Sequence, residues 1–259
     1  MAPESFFVPD GDAFVATQLT VGPWSPAHQH GGPPAALMVR ALERFGEDAA
    51  KFLVSRVTYD FLKPVPVGRC AVAVEVVKLG SRVQRLTARL LVDGDEVMRA
   101  AALRVRRGTL DTQGTRPAPE KPVPETGNPF RFPFFKTEPA YHTAIEGRFT
   151  RGTWGEPQVF CWLRARVPLL AGEPTSPLQR VMTVADAESG ICPPLDVDRY
   201  TFVNPDLTVV VDREPEGEWV GLDAVSTAGT NGIGLAQSAL YDQRGLFGRA
   251  AQVLFVEKR

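Results

Sequence analysis

Short runs of apolar and β-branched residues recur in both halves of the chain and predict antiparallel strands. In the first half these runs cover residues 72–77, 86–91 and 97–105. The turn Asp93-Gly94-Asp95 between the last two runs is typical of a hairpin. In the second half comparable runs cover residues 207–211, 219–225, 235–241 and 250–256. Each half is therefore expected to contain several strands in close succession.

One helix is predicted upstream of these strands in each half. Residues 33–45 follow a Gly-Gly pair and are mostly apolar, so we expect this helix to be largely buried. Residues 176–189 begin with Ser176 at the N-cap and Pro177 at the first helical position, where both residue types are favoured. Both halves thus share the order strand, helix, several strands.

The two halves also align with each other residue by residue. An offset of 149 positions superposes Pro66 on Pro215, Gly68 on Gly217, Gly80 on Gly229 and Asp93 on Asp242. One extra residue in the second turn changes the offset to 150, which aligns Arg99-Ala100-Ala101 with Arg249-Ala250-Ala251. We interpret this match as an internal duplication.

A segment rich in proline, glycine and threonine separates the two copies. Proline at this density disfavours helices and central strands, so residues 111–134 are expected to form an extended linker. The sequence accordingly predicts two domains, residues 1–110 and residues 135–259.

Charge and cysteine content narrow the classes of function. The 29 basic and 30 acidic residues leave a net charge of -1, which argues against a general electrostatic grip on nucleic acid or on an anionic membrane. No apolar run reaches the length of a transmembrane helix. Residues 1–12 are acidic and lack the basic start of a signal peptide, so none is predicted. Three scattered cysteines fit reduced thiols in the cytoplasm. Only His28 and His30 lie close together, so we expect neither a metal site nor a cofactor.

Motifs at the helix start and in the last strands carry a family resemblance. They are Trp24, the run from His30 to Leu37 (HGGPPAAL), Asn204-Pro205-Asp206-Leu207-Thr208, the Pro215-x-Gly217-Glu218-Trp219 segment, Asp242-x-x-Gly245 and Ala250-Ala251-Gln252. With this set the chain resembles the double-hotdog acyl-CoA thioesterases of the thioesterase II type. The resemblance implies an α+β fold in which two antiparallel sheets each wrap a central helix and join into one continuous sheet.

The same resemblance implies where the catalytic residues lie. In that family an aspartate on the second central helix, a serine or threonine early in the next strand and a glutamine in the last strand hold the attacking water. Asp186 and Gln252 match the first and the third. Asn204 falls at the hydroxyl position, a departure from serine or threonine that keeps hydrogen-bonding capacity.

The chemistry of the residues agrees with these roles. Asp186 lies among apolar residues, and burial would raise its pKa toward that of a general base; direct nucleophilic attack is the less simple alternative. Gln252 stands in an apolar strand, whereas the matching residue of the first copy is Ala102. Because the first copy also has Ser55 opposite Asn204 and no aspartate in its helix, we expect one working site, completed by the first copy.

The helix start His30-Gly31-Gly32 is the candidate substrate-binding element. Backbone N–H groups there can polarise the thioester carbonyl, and in related hotdogs this helix start faces that carbonyl. The competing interpretation is a purely steric turn, with His30 as a hydrogen-bonded structural residue.

Three functions remain open from the sequence. The favoured one is hydrolysis of an acyl-CoA to free acid and CoA. A related hotdog activity, dehydration or hydration of an acyl thioester, would use His30 with an acid, and a non-catalytic acyl-CoA-binding module would keep only the fold. A double hotdog already contains a pair of units, so the chain is expected to be a monomer or a homo-oligomer formed through sheet edges.

Overall fold

A computed structural model describes residues 4–112, 114–115 and 123–259. Within these residues a single antiparallel sheet of fourteen strands dominates the molecule. The strands of the first half are β1 (Phe7–Asp10), β2 (Ala13–Ala16), β3 (Phe52–Phe61), β4 (Arg69–Leu79), β5 (Val83–Val92) and β6 (Asp95–Arg106). Those of the second half are β7 (Asn128–Phe130), β8 (Ile145–Arg151), β9 (Gln158–Ala165), β10 (Tyr200–Val203), β11 (Asp206–Val211), β12 (Val220–Ala228), β13 (Ile233–Asp242) and β14 (Gly245–Lys258).

The order of the strands shows how the two copies join. It runs β1-β2-β4-β5-β6-β3-β11-β14-β13-β12-β9-β8-β7, with β10 pairing β14 beside this path. Read outward from the central β3–β11 pair, the two halves mirror each other in strand order. Thr58 faces Thr208 across that pair, and their numbers differ by the same 150 as the end of the sequence repeat. The predicted continuous sheet of two related units is therefore confirmed.

Four α-helices accompany the sheet in the described part of the chain. They are α1 (Gly32–Arg44), α2 (Tyr141–Ala144), α3 (Pro177–Ala185) and α4 (Glu188–Ile191). The predicted helix 176–189 thus consists of two pieces, because the Ala187 N–H bonds to Val184 O in a tighter final turn. Among the described residues, no helix is long and apolar enough to cross a membrane.

Helices α1 and α3 pack against each other in opposite directions. At one end, Gly32 lies so close to α3 that a Cβ atom on it would stand 2.1 Å from the Thr183 carbonyl oxygen. At the other end, the Glu43 carboxylate accepts hydrogen bonds from Ser176 Oγ at 2.8 Å and from Gln179 Nε2 at 3.0 Å. Asp186 follows α3 at the first of these ends. Each end of the helix pair therefore has one carboxyl group, Asp186 from the second half and Glu43 from the first.

The predicted linker contributes structure as well as connection. Residues 113 and 116–122, in the middle of the predicted linker, lie outside the described residues. Its C-terminal part contains β7, which pairs with β8 at the edge of the sheet. Pro129 is tolerated there because an edge strand has one side without ladder partners. Phe132 and Phe134 then turn inward toward the helix ends.

Replacing Gly32 with alanine tests the close approach of the helices. A methyl group would overlap a backbone oxygen that cannot rotate away, so we expect Gly32→Ala to lower the free energy of unfolding by about 3 kcal/mol. Gly108→Ala is the matched control, since a Cβ there would meet no atom within 4 Å. Chemical denaturation of both variants measures the difference, and equal stability of the two would contradict the packing described.

Candidate active site

A cavity of about 420 Å³ opens where the helix ends of the two halves meet. The first half contributes residues 28–31, just before α1, and Phe61 at the end of β3. The second half contributes Asp186, which caps the C-terminus of α3, and Asn204, which precedes β11. Both copies of the duplication are thus needed to enclose this space.

The other five predicted site residues gather around the carboxyl group of Asp186. Asn204 Nδ2 donates to its Oδ1 at 2.9 Å, and Gln252 Nε2 donates to the same oxygen at 3.2 Å. His30 Nδ1 lies 3.2 Å from Oδ2. The backbone N–H groups of Gly31 and Gly32 also lie close enough to this carboxyl group to lower its pKa.

Burial dominates the acidity of Asp186. The residue is only 7% exposed, and burial raises its pKa from 3.8 to about 7. The hydrogen bonds from Asn204 and from the N–H groups of Gly31 and Gly32 act in the opposite direction and are outweighed. A carboxyl group with this pKa can take up and release a proton near neutral pH.

His30 is a neutral partner in this cluster. Burial lowers its pKa to about 3, its ring stacks on Tyr141 at 3.7 Å, and its Nδ1 accepts the Gly32 N–H at 3.1 Å. An Nδ1 that accepts a hydrogen bond carries no proton, so its 3.2 Å contact with Asp186 Oδ2 is favourable when the carboxyl group is protonated. The contact is therefore a hydrogen bond between neutral groups at low pH, and an ion pair plays no part in it.

The elements around Asn204 hold its amide in place. Asn204 Nδ2 bonds to Asp206 O at 3.0 Å as well as to Asp186, and the Phe61 N–H bonds to Pro205 O at 2.8 Å. These bonds fix the start of β11 against the end of β3. The amide of Asn204 consequently faces the cavity with one fixed orientation.

Gln252 differs from the other predicted catalytic residues in its access to the cavity. It lies in β14 opposite Ala236, is 1% exposed, and is not among the described residues that line the cavity. Its Nε2 bonds to both the carbonyl oxygen and Oδ1 of Asp186 at 3.2 Å. Gln252 therefore contacts the cavity only through Asp186.

Two further residues of this region escaped the sequence interpretation. Tyr141 donates its hydroxyl to Thr183 O at 2.9 Å and supports the His30 ring, although no sequence pattern points to it. Glu188 is fully buried, and burial, with a smaller contribution from the neighbouring Asp186, raises its pKa to about 8. An acidic residue inside the apolar run after Asp186 was the available signal for Glu188.

Solved structures similar to this chain share its architecture. A candidate thioesterase II from Thermobifida fusca superposes with a TM-score of 0.76 at 16% identity over 98% of this chain and 96% of that chain. A hot dog fold protein from Alicyclobacillus acidocaldarius gives 0.72 at 19% identity over 97% and 95%. A candidate thioesterase from Novosphingobium aromaticivorans gives 0.71 at 22% identity over 96% and 98%. These likenesses confirm the hotdog fold.

Family comparison covers both copies of the duplication. No curated protein matches the chain significantly. Residues 20–105 match the family described as the acyl-CoA thioesterase N-terminal domain, and residues 117–256 match the acyl-CoA thioesterase C-terminal domain. Because the two domain matches together cover most of its length, this chain belongs to the acyl-CoA thioesterase family and is a thioester hydrolase.

Proposed function

We propose that Asp186 is the general base that activates water for attack on the acyl-CoA carbonyl carbon. The observation that carries this proposal is a buried carboxyl group with a pKa of about 7 that lines the cavity. In its ionised form it can accept the proton of a water molecule as that water attacks. The products are the free acid and CoA, and no cofactor takes part.

The two amides are proposed to hold the base in its working orientation. Asn204 and Gln252 both donate to Asp186 Oδ1, so the second oxygen is the one left to exchange a proton. Asn204 also reaches the cavity and can bind the attacking water, as the hydroxyl residue of the family is expected to do. Gln252 is a positioning residue in this scheme.

The start of α1 is proposed to receive the thioester carbonyl. The N–H groups of Gly31 and Gly32 stand at the positive end of a helix of 13 residues, which favours negative charge by about 0.3–1 kcal/mol. They now face the Asp186 carboxyl group. When Asp186 accepts the proton of the water, its negative charge is lost. The Gly31 N–H can then stabilise the oxyanion that forms, while the Gly32 N–H stays bonded to His30 Nδ1.

Hydration or dehydration is the second candidate because His30 and Asp186 lie 3.2 Å apart. A histidine base for that chemistry needs a free ring nitrogen at the substrate. Here Nδ1 already accepts the Gly32 N–H, and the ring is held against Tyr141. These contacts support a positioning role for His30 and favour hydrolysis.

The proposed assembly and location rest on two separate observations. One chain supplies Asp186 from the second copy and Gly31 from the first, so a monomer contains every proposed group, and pairing through sheet edges remains compatible with it. Three buried free thiols, Cys70, Cys161 and Cys192, support a reducing cytoplasm. We propose a role in lipid metabolism on the basis of the acyl-CoA substrate.

Removing the charge of Asp186 should strongly reduce hydrolysis while the protein still folds. In Asp186→Asn the amide can donate to His30 Nδ1 and accept from Asn204, so we expect acyl-CoA hydrolysis to fall by about 10²–10⁴-fold.

The folded-state pKa of Asp186 exceeds its unfolded value, so wild-type stability falls as pH rises from about 4 to about 7. The asparagine variant should therefore melt at a higher temperature than wild type at about pH 8.

Thiol-release assays and thermal melts measure these two effects together. The exposed Asp60 serves as the control, since Asp60→Asn should leave both quantities near wild-type values. An unchanged hydrolysis rate in Asp186→Asn would refute the assignment of the base.

The pH dependence of wild-type activity should report the same group. Because the base acts in its ionised form, kcat/KM should rise about tenfold per pH unit below about pH 7 and level off above it. Initial rates between about pH 5 and about pH 9, corrected for spontaneous hydrolysis, give the profile. A profile that is flat across this range would rule out a base with the acidity described for Asp186.

Truncation of Gln252 should act through Asp186. Loss of a hydrogen bond to the carboxylate should lower kcat by about tenfold in Gln252→Ala and move the rising limb of the pH profile upward by about one unit. Gln84→Ala is the matched control, because Gln84 is a buried glutamine whose amide bonds to Asp48 at 3.2 Å, away from the cavity. A loss of stability with an unshifted pH profile would leave Gln252 as a purely structural residue.

A further inference from the structure

Four aromatic rings form one wall of the cavity beside Asp186. Phe202 and Trp24 meet edge to face at 5.8 Å and 86°, Trp24 lies 6.2 Å from Phe134, and Phe134 meets Phe132 at 6.1 Å and 88°. All four rings line the cavity. We refer to Trp24, Phe132, Phe134 and Phe202 as the aromatic wall.

The wall begins close to the proposed reacting centre. Gly190 lies one helical turn after Asp186 and also lines the cavity. A Cβ atom on Gly190 would stand 3.4 Å from the Phe132 ring and 3.5 Å from the Phe134 ring, so the rings lie directly against α4. A group attached to a carbonyl carbon near Asp186 would therefore share one cavity with these rings.

Contacts behind the wall keep it in place. Trp154 stacks on Phe134 at 6.2 Å and 25°, and its Nε1 donates to Gly190 O at 3.0 Å. The Arg259 guanidinium lies 5.5 Å from the centre of the Trp24 ring. The Phe134 ring, held in this way, loses little conformational entropy when a ligand binds.

The shape and chemistry of the wall select among acyl groups. A straight alkyl chain gains from any apolar surface in proportion to its buried area. An aromatic ring gains in addition from edge-to-face packing on rings whose centres are 4.5–7 Å away, by about 0.5–1.5 kcal/mol for each pair. A cavity of about 420 Å³ lies toward the small end of the usual range for ligand sites and suits a compact group.

Resting on the thioesterase activity proposed above, we propose that the acyl group of the preferred substrate carries an aromatic ring, as in arylacetyl-CoA thioesters. The ring packs against the aromatic wall, while the carbonyl lies at the start of α1. Phe134 is the specificity-determining residue of this arrangement because it contacts both Trp24 and Phe132.

Three substrates with the same number of acyl carbons test the proposal: phenylacetyl-CoA, cyclohexylacetyl-CoA and octanoyl-CoA. Octanoyl-CoA has the largest apolar area, so area alone would favour it. We expect kcat/KM for phenylacetyl-CoA to exceed that for octanoyl-CoA by about tenfold and to exceed that for cyclohexylacetyl-CoA by about threefold. Equal or higher kcat/KM for either competitor would overturn the recognition of an aromatic ring.

A substitution in the wall adds an internal check. Phe134→Leu should reduce the ratio of kcat/KM for phenylacetyl-CoA to that for octanoyl-CoA by at least about threefold. A ratio measured on one preparation does not depend on the folded fraction. Phe14→Leu is the matched control, since Phe14 is also partly buried but lies outside the cavity lining, and it should leave the ratio unchanged. An unchanged ratio in Phe134→Leu would contradict the assigned role.

The same assay separates this proposal from the one on which it rests. If octanoyl-CoA is hydrolysed as well as or better than phenylacetyl-CoA in a manner that depends on Asp186, the aromatic preference is wrong and the proposed base stands. If none of the three thioesters, nor shorter straight-chain ones, releases thiol, the proposed function fails and the preference fails with it.

Discussion

The close approach of Gly32 to the Thr183 carbonyl is the contact on which the site depends. It is possible only because residue 32 lacks a side chain, and it brings the start of one copy's helix to the end of the other's. The positive end of α1 thereby meets the carboxyl group that follows α3. Had the helices been separated by the width of a methyl group, Asp186 would be deprived of the N–H donors of Gly31 and Gly32.

Two opposing electrostatic effects set the acidity at this contact. The start of a helix favours a carboxylate by about 0.3–1 kcal/mol, or up to about 2 kcal/mol in partly buried geometries. Removing a charge from water costs several kcal/mol. Desolvation therefore prevails, and the pKa of Asp186 settles near 7, well above its usual value. His30 beside Asp186 is neutral for the same reason, because burying a second charge there would also cost free energy.

The sequence predicted the repeated fold well because each copy has the same period and the same turns. Asp186 and Gln252 were predicted from the family resemblance. Comparison with the first copy added that its helix has no aspartate and that Ala102 stands where Gln252 does in the second copy. The role of Phe132 and Phe134 could not be predicted in the same way. They stand in a proline-rich segment without periodicity, and the surfaces they contact, Gly190 and Trp24, are remote in sequence. The break after Ala185 lies at the tighter turn in which the Ala187 N–H bonds to Val184 O, and local helix propensity does not express this turn.

The contact of Glu43 with Ser176 and Gln179 has a consequence for how the two copies have diverged. It occupies the far end of the helix pair, where symmetry would place a second reaction centre. There the protein's own hydroxyl and amide saturate the carboxylate, and the end serves as a clamp between the halves. The expected stoichiometry is one thioester per chain. On the interpretation that the two halves arose by duplication, this end of the helix pair contributes cohesion, and the Asp186 end contributes the proposed chemistry.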